Sequence, residues 1–263
     1  MAERRTLHGD GFSMDYAVFG EGKRPFVILP GMSLHPVTPM AELIADIYAD
    51  FARRYRCYLF DRRSEMPDDY SVRDMARDTA QAMKQLSLAD ADLFGASQGG
   101  MIAECIALDE PQLVRRLALG STLARQNEVS RDTFTLWDEL SRRRDAVALN
   151  RSVAERVYSA ERRERDRDAF AAMENDGTEE ELRSFGVLSR ASLGFDVYDE
   201  LDGISCPTLV LGAEEDRVLS VIGSREIAER LPSCELFVYE RAAHAVYDEA
   251  PDYCGRLLSF FEA

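Results

Sequence analysis

Apolar residues along this chain alternate between two spacings, short unbroken runs and stripes recurring every three to four residues. That alternation predicts the order of strands and helices. Arg4 to Phe19 reads as two short strands around Gly9-Asp10-Gly11, an antiparallel hairpin. Phe26-Val27-Ile28-Leu29 is a continuous apolar strand, and beyond a loop Met40, Leu43, Ile44, Ile47, Tyr48 and Phe51 recur at helical spacing. Cys57-Tyr58-Leu59-Phe60 predicts the next buried strand, and Ser71-Val72-Arg73-Asp74 has the form of a capping box. The helix it opens is striped by Val72, Met75, Ala76, Thr79, Met83 and Leu86. Ala91-Asp92-Leu93-Phe94 is strand-like, and Met101, Ile102, Ala103, Ile106, Ala107 and Leu108 follow as a buried helix would require. Leu117-Ala118-Leu119, Thr208-Leu209-Val210-Leu211 and Leu236-Phe237-Val238 are further strands. The chain closes with a helix started by Pro251 and striped by Cys254, Leu257, Leu258 and Phe261. Fully apolar strands taking turns with helices predict a mostly parallel sheet covered on both faces.

From about Leu123 to Leu193 the strand pattern stops. Charge-rich helical runs replace it, including Glu161-Arg162-Arg163-Glu164-Arg165-Asp166-Arg167-Asp168, which reads as a solvated helix face. Phe134, Trp137, Val157, Tyr158, Phe170, Met173, Leu182, Phe185 and Leu188 supply apolar faces for three or four helices. The expected organisation is therefore a core over residues 1–122, a helical lid over 123–195, and the rest of the core over 196–263.

Composition narrows the function classes. The 48 acidic and 32 basic residues leave a net charge of −16, which opposes binding to nucleic acid or to anionic membranes. No stretch approaches the roughly 20 apolar residues of a membrane span, and no apolar segment follows Met1-Ala2-Glu3-Arg4-Arg5, so a cytoplasmic location is expected. Cys57, Cys105, Cys206, Cys234 and Cys254 are odd in number and scattered, without the close pairs of zinc or redox sites. They read as reduced, mostly buried small hydrophobes.

The candidate chemistry lies in Gly95-Ala96-Ser97-Gln98-Gly99, which places a serine between small residues where a strand gives way to a helix. Such a turn presents the hydroxyl of Ser97 as a nucleophile, and small neighbours let the two arms approach. A serine needs a base, and histidine suits that role near neutral pH. Of the three histidines, His8 lies in the N-terminal hairpin and His35 in the loop after the first core strand. His244 follows the last strand, where parallel strands deliver residues to a ligand crevice. The histidine in turn needs a carboxylate, and Asp216, in the loop after Leu211-Gly212, fits, with Glu214 and Glu215 as neighbouring alternatives. The order serine, acid, histidine is that of α/β hydrolases. The backbone amides of Gln98 and of Met32, in Pro30-Gly31-Met32-Ser33, are the candidate oxyanion donors.

Nearly the whole chain resembles the α/β-hydrolase superfamily, in particular its lid-bearing serine hydrolases. Leu201-Asp202-Gly203-Ile204-Ser205-Cys206-Pro207 is similar to the family's re-entry from lid to core, and His244-Ala245-Val246-Tyr247-Asp248-Glu249-Ala250-Pro251 to its H-x-x-x-x-E-x-P ending. There are departures. The family's common His-Gly is Pro30-Gly31, its D-x-R-G-x-G-x-S loop reads Asp61-Arg62-Arg63-Ser64-Glu65-Met66-Pro67, and the glycine usually three residues before the acid is Ala213. The resemblance implies an eight-stranded, mostly parallel sheet with a helical lid. It also implies hydrolysis of an ester, lactone or thioester of a small, partly apolar molecule through an acyl-serine intermediate, with no metal or organic cofactor. A carbon-carbon bond hydrolase, a cofactor-free perhydrolase and a non-catalytic ligand receptor are the other functions this resemblance leaves open. Oligomeric state is not legible.

Overall fold

The computed structural model describes all 263 residues. Its strands are β1 (Glu3–His8), β2 (Ser13–Phe19), β3 (Arg24–Leu29), β4 (Tyr55–Arg63), β5 (Ala91–Ala96), β6 (Val114–Gly120), β7 (Thr208–Ala213) and β8 (Cys234–Tyr239). They form one eight-stranded sheet in the order β1-β2-β4-β3-β5-β6-β7-β8. The hairpin β1-β2 and the β2-β4 pair are antiparallel, and every pair from β4-β3 to β7-β8 is parallel. The helices between the early strands are α1 (Ala41–Ile47), α2 (Ala49–Ala52), α3 (Val72–Gln85) and α4 (Gln98–Asp109). Between β6 and β7 stand α5 (Glu128–Arg142), α6 (Ala146–Val157), α7 (Ala160–Arg165), α8 (Arg167–Ala172) and α9 (Glu179–Leu193). The last part adds α10 (Ser220–Arg230), α11 (Val246–Glu249) and α12 (Tyr253–Glu262). No helix is long and apolar enough to cross a membrane.

The unbroken apolar runs have a direct physical reading. Successive side chains of a strand point to opposite faces, so a strand buried on both sides must be apolar at every position. In β3, Val27 and Leu29 join the core under α3 and α4, while Phe26 and Ile28 join the core under α2 and α12. β6 and β7 alternate in the same way, with Leu117, Leu119 and Val210 on one side and Ala118, Leu209 and Leu211 on the other. On the second face Phe26 stacks on Phe51 with ring centroids 4.3 Å apart.

Three expectations need correction. The stripe from Met40 to Phe51 is two short helices broken at Tyr48, not one, and Met40, Leu43 and Ile47 face outward. Of the stripe only Tyr48 and Phe51 are buried, with Ile44 half-buried; they share with Ala41 the edge that packs on the sheet. Pro251 does not start the last helix. It sits in the turn after α11, and Asp252 holds the N-cap position of α12. The charge-rich segment holds five helices, since the run from Glu161 to Asp168 breaks into α7 and α8, neither of which buries a residue. The segment is anchored by an antiparallel bridge between Arg125 and Asp196 and by Phe134, Trp137, Leu182, Phe185 and Leu188, which join the core cluster of the first face. Met173 is exposed. The five cysteines are free, Cys57 and Cys105 buried and the others half-buried.

Candidate active site

Ser97 stands between β5 and α4 with φ 53° and ψ −124°, a conformation that a residue with a Cβ adopts only under constraint. The constraint is visible in the surrounding backbone. The Ser97 amide donates to the Gly120 carbonyl (2.8 Å), and the Thr122 hydroxyl donates to the Ser97 carbonyl (2.8 Å). A Cβ on Gly99 would stand 2.0 Å from the Leu29 carbonyl oxygen, and one on Gly95 2.3 Å from the Gly99 carbonyl oxygen. The turn is therefore tight enough to exclude side chains at both positions, the steric reason for glycine on either side of the serine.

The structure brings the three residues singled out above into one row. His244 Nε2 lies 3.0 Å from Ser97 Oγ, and His244 Nδ1 lies 2.8 Å from Asp216 Oδ2. The other carboxylate oxygen, Oδ1, accepts the amides of Val218 (2.8 Å) and Leu219 (2.9 Å). A carboxylate only accepts, so Nδ1 carries the imidazole hydrogen and Nε2 is left to accept from the serine hydroxyl. All three are nearly shut off from solvent, with Ser97 6%, Asp216 8% and His244 2% exposed. In so dry a setting an unpaired carboxylate would be costly, which is why the two amides matter as much as the imidazole.

The alternative acids face elsewhere. Glu214 is exposed and pairs with Arg225 (2.7 Å), and Glu215 is exposed. His8 is at the surface, where its ring meets Ser13 Oγ (2.9 Å). His35 is 2.8 Å from Glu181 on α9. That contact, with the Thr178 amide as the larger cause, holds the Glu181 carboxyl down at about 2.

Met32 lies in the loop after β3, directly after Gly31. A Cβ on Gly31 would be 3.1 Å from Ser97 Cβ. Gln98 opens α4, and its side chain does something the sequence did not announce. Nε2 donates to the Leu188 carbonyl (3.0 Å) and to Ser192 Oγ (2.9 Å), tying the residue after the serine to α9. The same helix closes on the site from the other side, because Ser192 Oγ also approaches Met32 Sδ (3.8 Å).

Between α9 and the ends of β3 and β4 lies a cavity of about 400 Å³, walled by Pro30, Gly31, His35, Arg62, Glu181 and Leu188 among others. Asp61, at the end of β4, shapes it by accepting the amides of Val37 (2.7 Å) and Thr38 (3.1 Å). A carboxylate at a strand end was the available signal for that role. Nothing in the local sequence pointed to the grip of Gln98 on α9.

Comparison with known proteins agrees with this architecture. Residues 24–251 match the family model described as alpha/beta hydrolase fold. The chain is 29% identical to RutD of Rhizobium rhizogenes, named as a carbamate hydrolase, over 81% of this chain and 84% of that protein. Among solved structures, MGS-M2, an alpha/beta hydrolase from a deep-sea metagenome library, superposes with a TM-score of 0.87 at 20% identity over 98% of both chains. The enol-lactonase of Burkholderia xenovorans superposes with a TM-score of 0.86 at 20% identity, over 98% of this chain and 100% of its own. A serine held on a strained strand-to-helix turn in an eight-stranded sheet of this order, with a family match across most of its length, identifies the chain as a member of the α/β-hydrolase fold family.

Proposed function

We propose that the protein is a serine hydrolase that opens an activated acyl bond, an ester, lactone or carbamate of a small molecule, through an acyl-serine intermediate. The observation that carries this reading is the row Ser97, His244, Asp216, with contacts of 3.0 and 2.8 Å. RutD and the enol-lactonase, named for a carbamate and a lactone, support an acyl carbonyl as the group attacked.

In this mechanism Ser97 Oγ attacks the carbonyl carbon while His244 Nε2 takes its proton. Asp216 keeps the ring in the right tautomer and stabilises the imidazolium. The oxygen that becomes negative is received by the amides of Met32 and Gln98, each worth on the order of 3 kcal/mol. The imidazolium then protonates the leaving group, and water, deprotonated by the same histidine, releases the acid and restores Ser97.

The segment 123–195 acts as a lid over this chemistry. It contributes Leu188 to the cavity wall and is fastened to the site by Gln98, by the His35–Glu181 pair, and by the Ala245 amide donating to the Val157 carbonyl (2.9 Å). That last bond joins the lid to the residue after His244. A covered site keeps water away from the intermediate and strengthens electrostatic interactions within it.

The experiment is labelling with a fluorophosphonate, followed by turnover of short p-nitrophenyl esters, lactones and carbamates. Labelling at Ser97 with turnover of at least one series is the expected result. Labelling without turnover of any acyl series would make the protein a ligand receptor instead, and no labelling would remove Ser97 as the nucleophile.

A further inference from the structure

Strand β4 ends in three consecutive charged residues whose side chains are committed very differently. Asp61 is spent on the amides of Val37 and Thr38. Arg63 donates to the Gly11 carbonyl (2.6 Å), the Glu65 carbonyl (2.7 Å) and Asp78 (3.4 Å), and its guanidinium lies over the rings of Phe12 and Tyr70. Arg62, between them, forms no ion pair. Its only hydrogen bond runs from one terminal nitrogen, Nη2, to the Pro30 carbonyl (2.7 Å), and its Nε is buried with no partner. Burial pushes the guanidinium down to about 10, against the opposing influence of Tyr70 and Asp61 nearby. Nη1 has no partner in the protein either.

All but one of the other charged groups facing the same cavity are already occupied. Asp15 accepts the Thr6 hydroxyl (2.6 Å). Glu181 accepts His35, the Thr178 amide and the Thr178 hydroxyl, each at 2.8 Å. Glu180 is the exception, exposed to solvent and without a partner. Arg62 is half-buried, the nearby Asp61 carboxylate is engaged by the Val37 and Thr38 amides, and a planar fork with free N–H groups is the side chain best matched to a carboxylate. The Pro30 carbonyl that Arg62 holds precedes Gly31 and Met32, so the guanidinium stands beside the oxyanion loop and opens into the cavity that Gly31 shares with it.

We propose that Arg62 binds a carboxylate carried by the substrate, so that the bond cleaved is the ester or lactone of a small acid with a second, free carboxyl group. This rests on the serine-hydrolase reading and goes beyond it by fixing the charge of the substrate. Arg62 is a specificity residue in this account, outside the proton-transfer row.

The test compares two p-nitrophenyl esters of similar length, the glutarate monoester, which ends in a carboxylate, and the neutral valerate. The wild-type protein is expected to favour the glutarate ester in kcat/KM. Arg62→Gln is expected to reduce that preference about 10- to 100-fold, the loss of one charge-assisted pair, mainly through KM, and Arg62→Lys to restore part of it. An equal loss on both esters would overturn the proposal, because it would reduce Arg62 to a support for the Pro30 carbonyl. A measurement on the wild-type protein stands apart from any folding defect in the variants: glutarate should inhibit valerate turnover competitively, and more strongly than its neutral diamide. Valerate turnover with no preference for the charged ester or inhibitor would overturn this proposal alone. Absence of both turnover and Ser97 labelling would overturn the hydrolase reading and this proposal with it.

Discussion

Beyond the ends of β5, β7 and β8, Asp216 holds two amides and His244, and His244 holds Ser97, every contact at 3.0 Å or less. At the end of β4, Arg62 has a single carbonyl partner and a buried nitrogen with none. In the proposed reading the contrast separates two tasks. A row that moves protons gains from being assembled before substrate arrives, since no reorganisation is then needed in the transition state. A group that selects substrate gains from an unmet need that only the right ligand satisfies.

The strongest way to break this contrast is to remove the assembled row. Ser97→Ala and His244→Ala should each lower kcat by roughly 10⁶, and Asp216→Asn by on the order of 10⁴, measured on whichever acyl series the parent hydrolyses. Glu214→Gln and Glu215→Gln should stay near the parent. An inactive Glu215→Gln beside an active Asp216→Asn would place the acid elsewhere.

The next effect concerns the frame that holds the serine. Gly99→Ala puts a Cβ 2.0 Å from the Leu29 carbonyl and 2.6 Å from that of Pro30. Forced separation of α4 from β3 should cost about 3 kcal/mol in denaturant unfolding. Stability equal to the parent would show that the turn has slack.

Glu104, on the same helix α4 that follows Ser97, sharpens the comparison from the stability side. It is fully buried, neither carboxylate oxygen has a partner, and burial holds its pKa well above the usual carboxylate range. The native state therefore keeps a proton that the unfolded chain gives up above about pH 4.3. Its contribution to stability is fully present below that pH and is lost as pH rises, at about 1.4 kcal/mol per unit, until the native pKa is passed. Glu104→Met should be more stable than the parent, by a margin that widens from pH 5 to pH 7 in thermal melts. A margin that does not change with pH would mean that the native carboxyl is ionised and solvated.

The smallest effect belongs to the His35–Glu181 contact between the loop after β3 and α9. His35 and Glu181 are both partly exposed, so His35→Ala should cost less than about 1 kcal/mol. Glu181 is held low, so its contribution is present above the ordinary carboxylate range and lost as pH falls toward 2. A melting curve of His35→Ala indistinguishable from the parent at pH 7 would make the pair ornamental to the lid.

What was legible in the sequence follows the range of the forces involved. The strands could be read because burial on both faces demands an apolar residue at every position, as in Phe26 to Leu29. Ser97 and His244 could be read because each follows a strand and stands among small residues. Asp216 was harder. Three acids lie in succession at 214–216, and only the path of the turn, with the Asp216 amide bonded to the Ala213 carbonyl, decides which one faces inward. The stripe from Met40 to Phe51 misled because helical spacing does not reveal which of two adjacent apolar edges meets the core: Ile44, Tyr48 and Phe51 do, and Met40, Leu43 and Ile47 face outward. The grip of Gln98 on Leu188 and Ser192 spans 90 and 94 residues, beyond any local pattern. The isolation of Arg62 was hidden for the same reason, since it depends on where its neighbours' partners lie.

The most direct measurement quenches turnover of a p-nitrophenyl ester in acid and maps the acyl group by peptide mass spectrometry. The account predicts an added acyl mass on the peptide containing Ser97, absent in Ser97→Ala together with turnover. Hydrolysis at the parental rate in Ser97→Ala, with no acyl adduct in the wild-type protein, would contradict it.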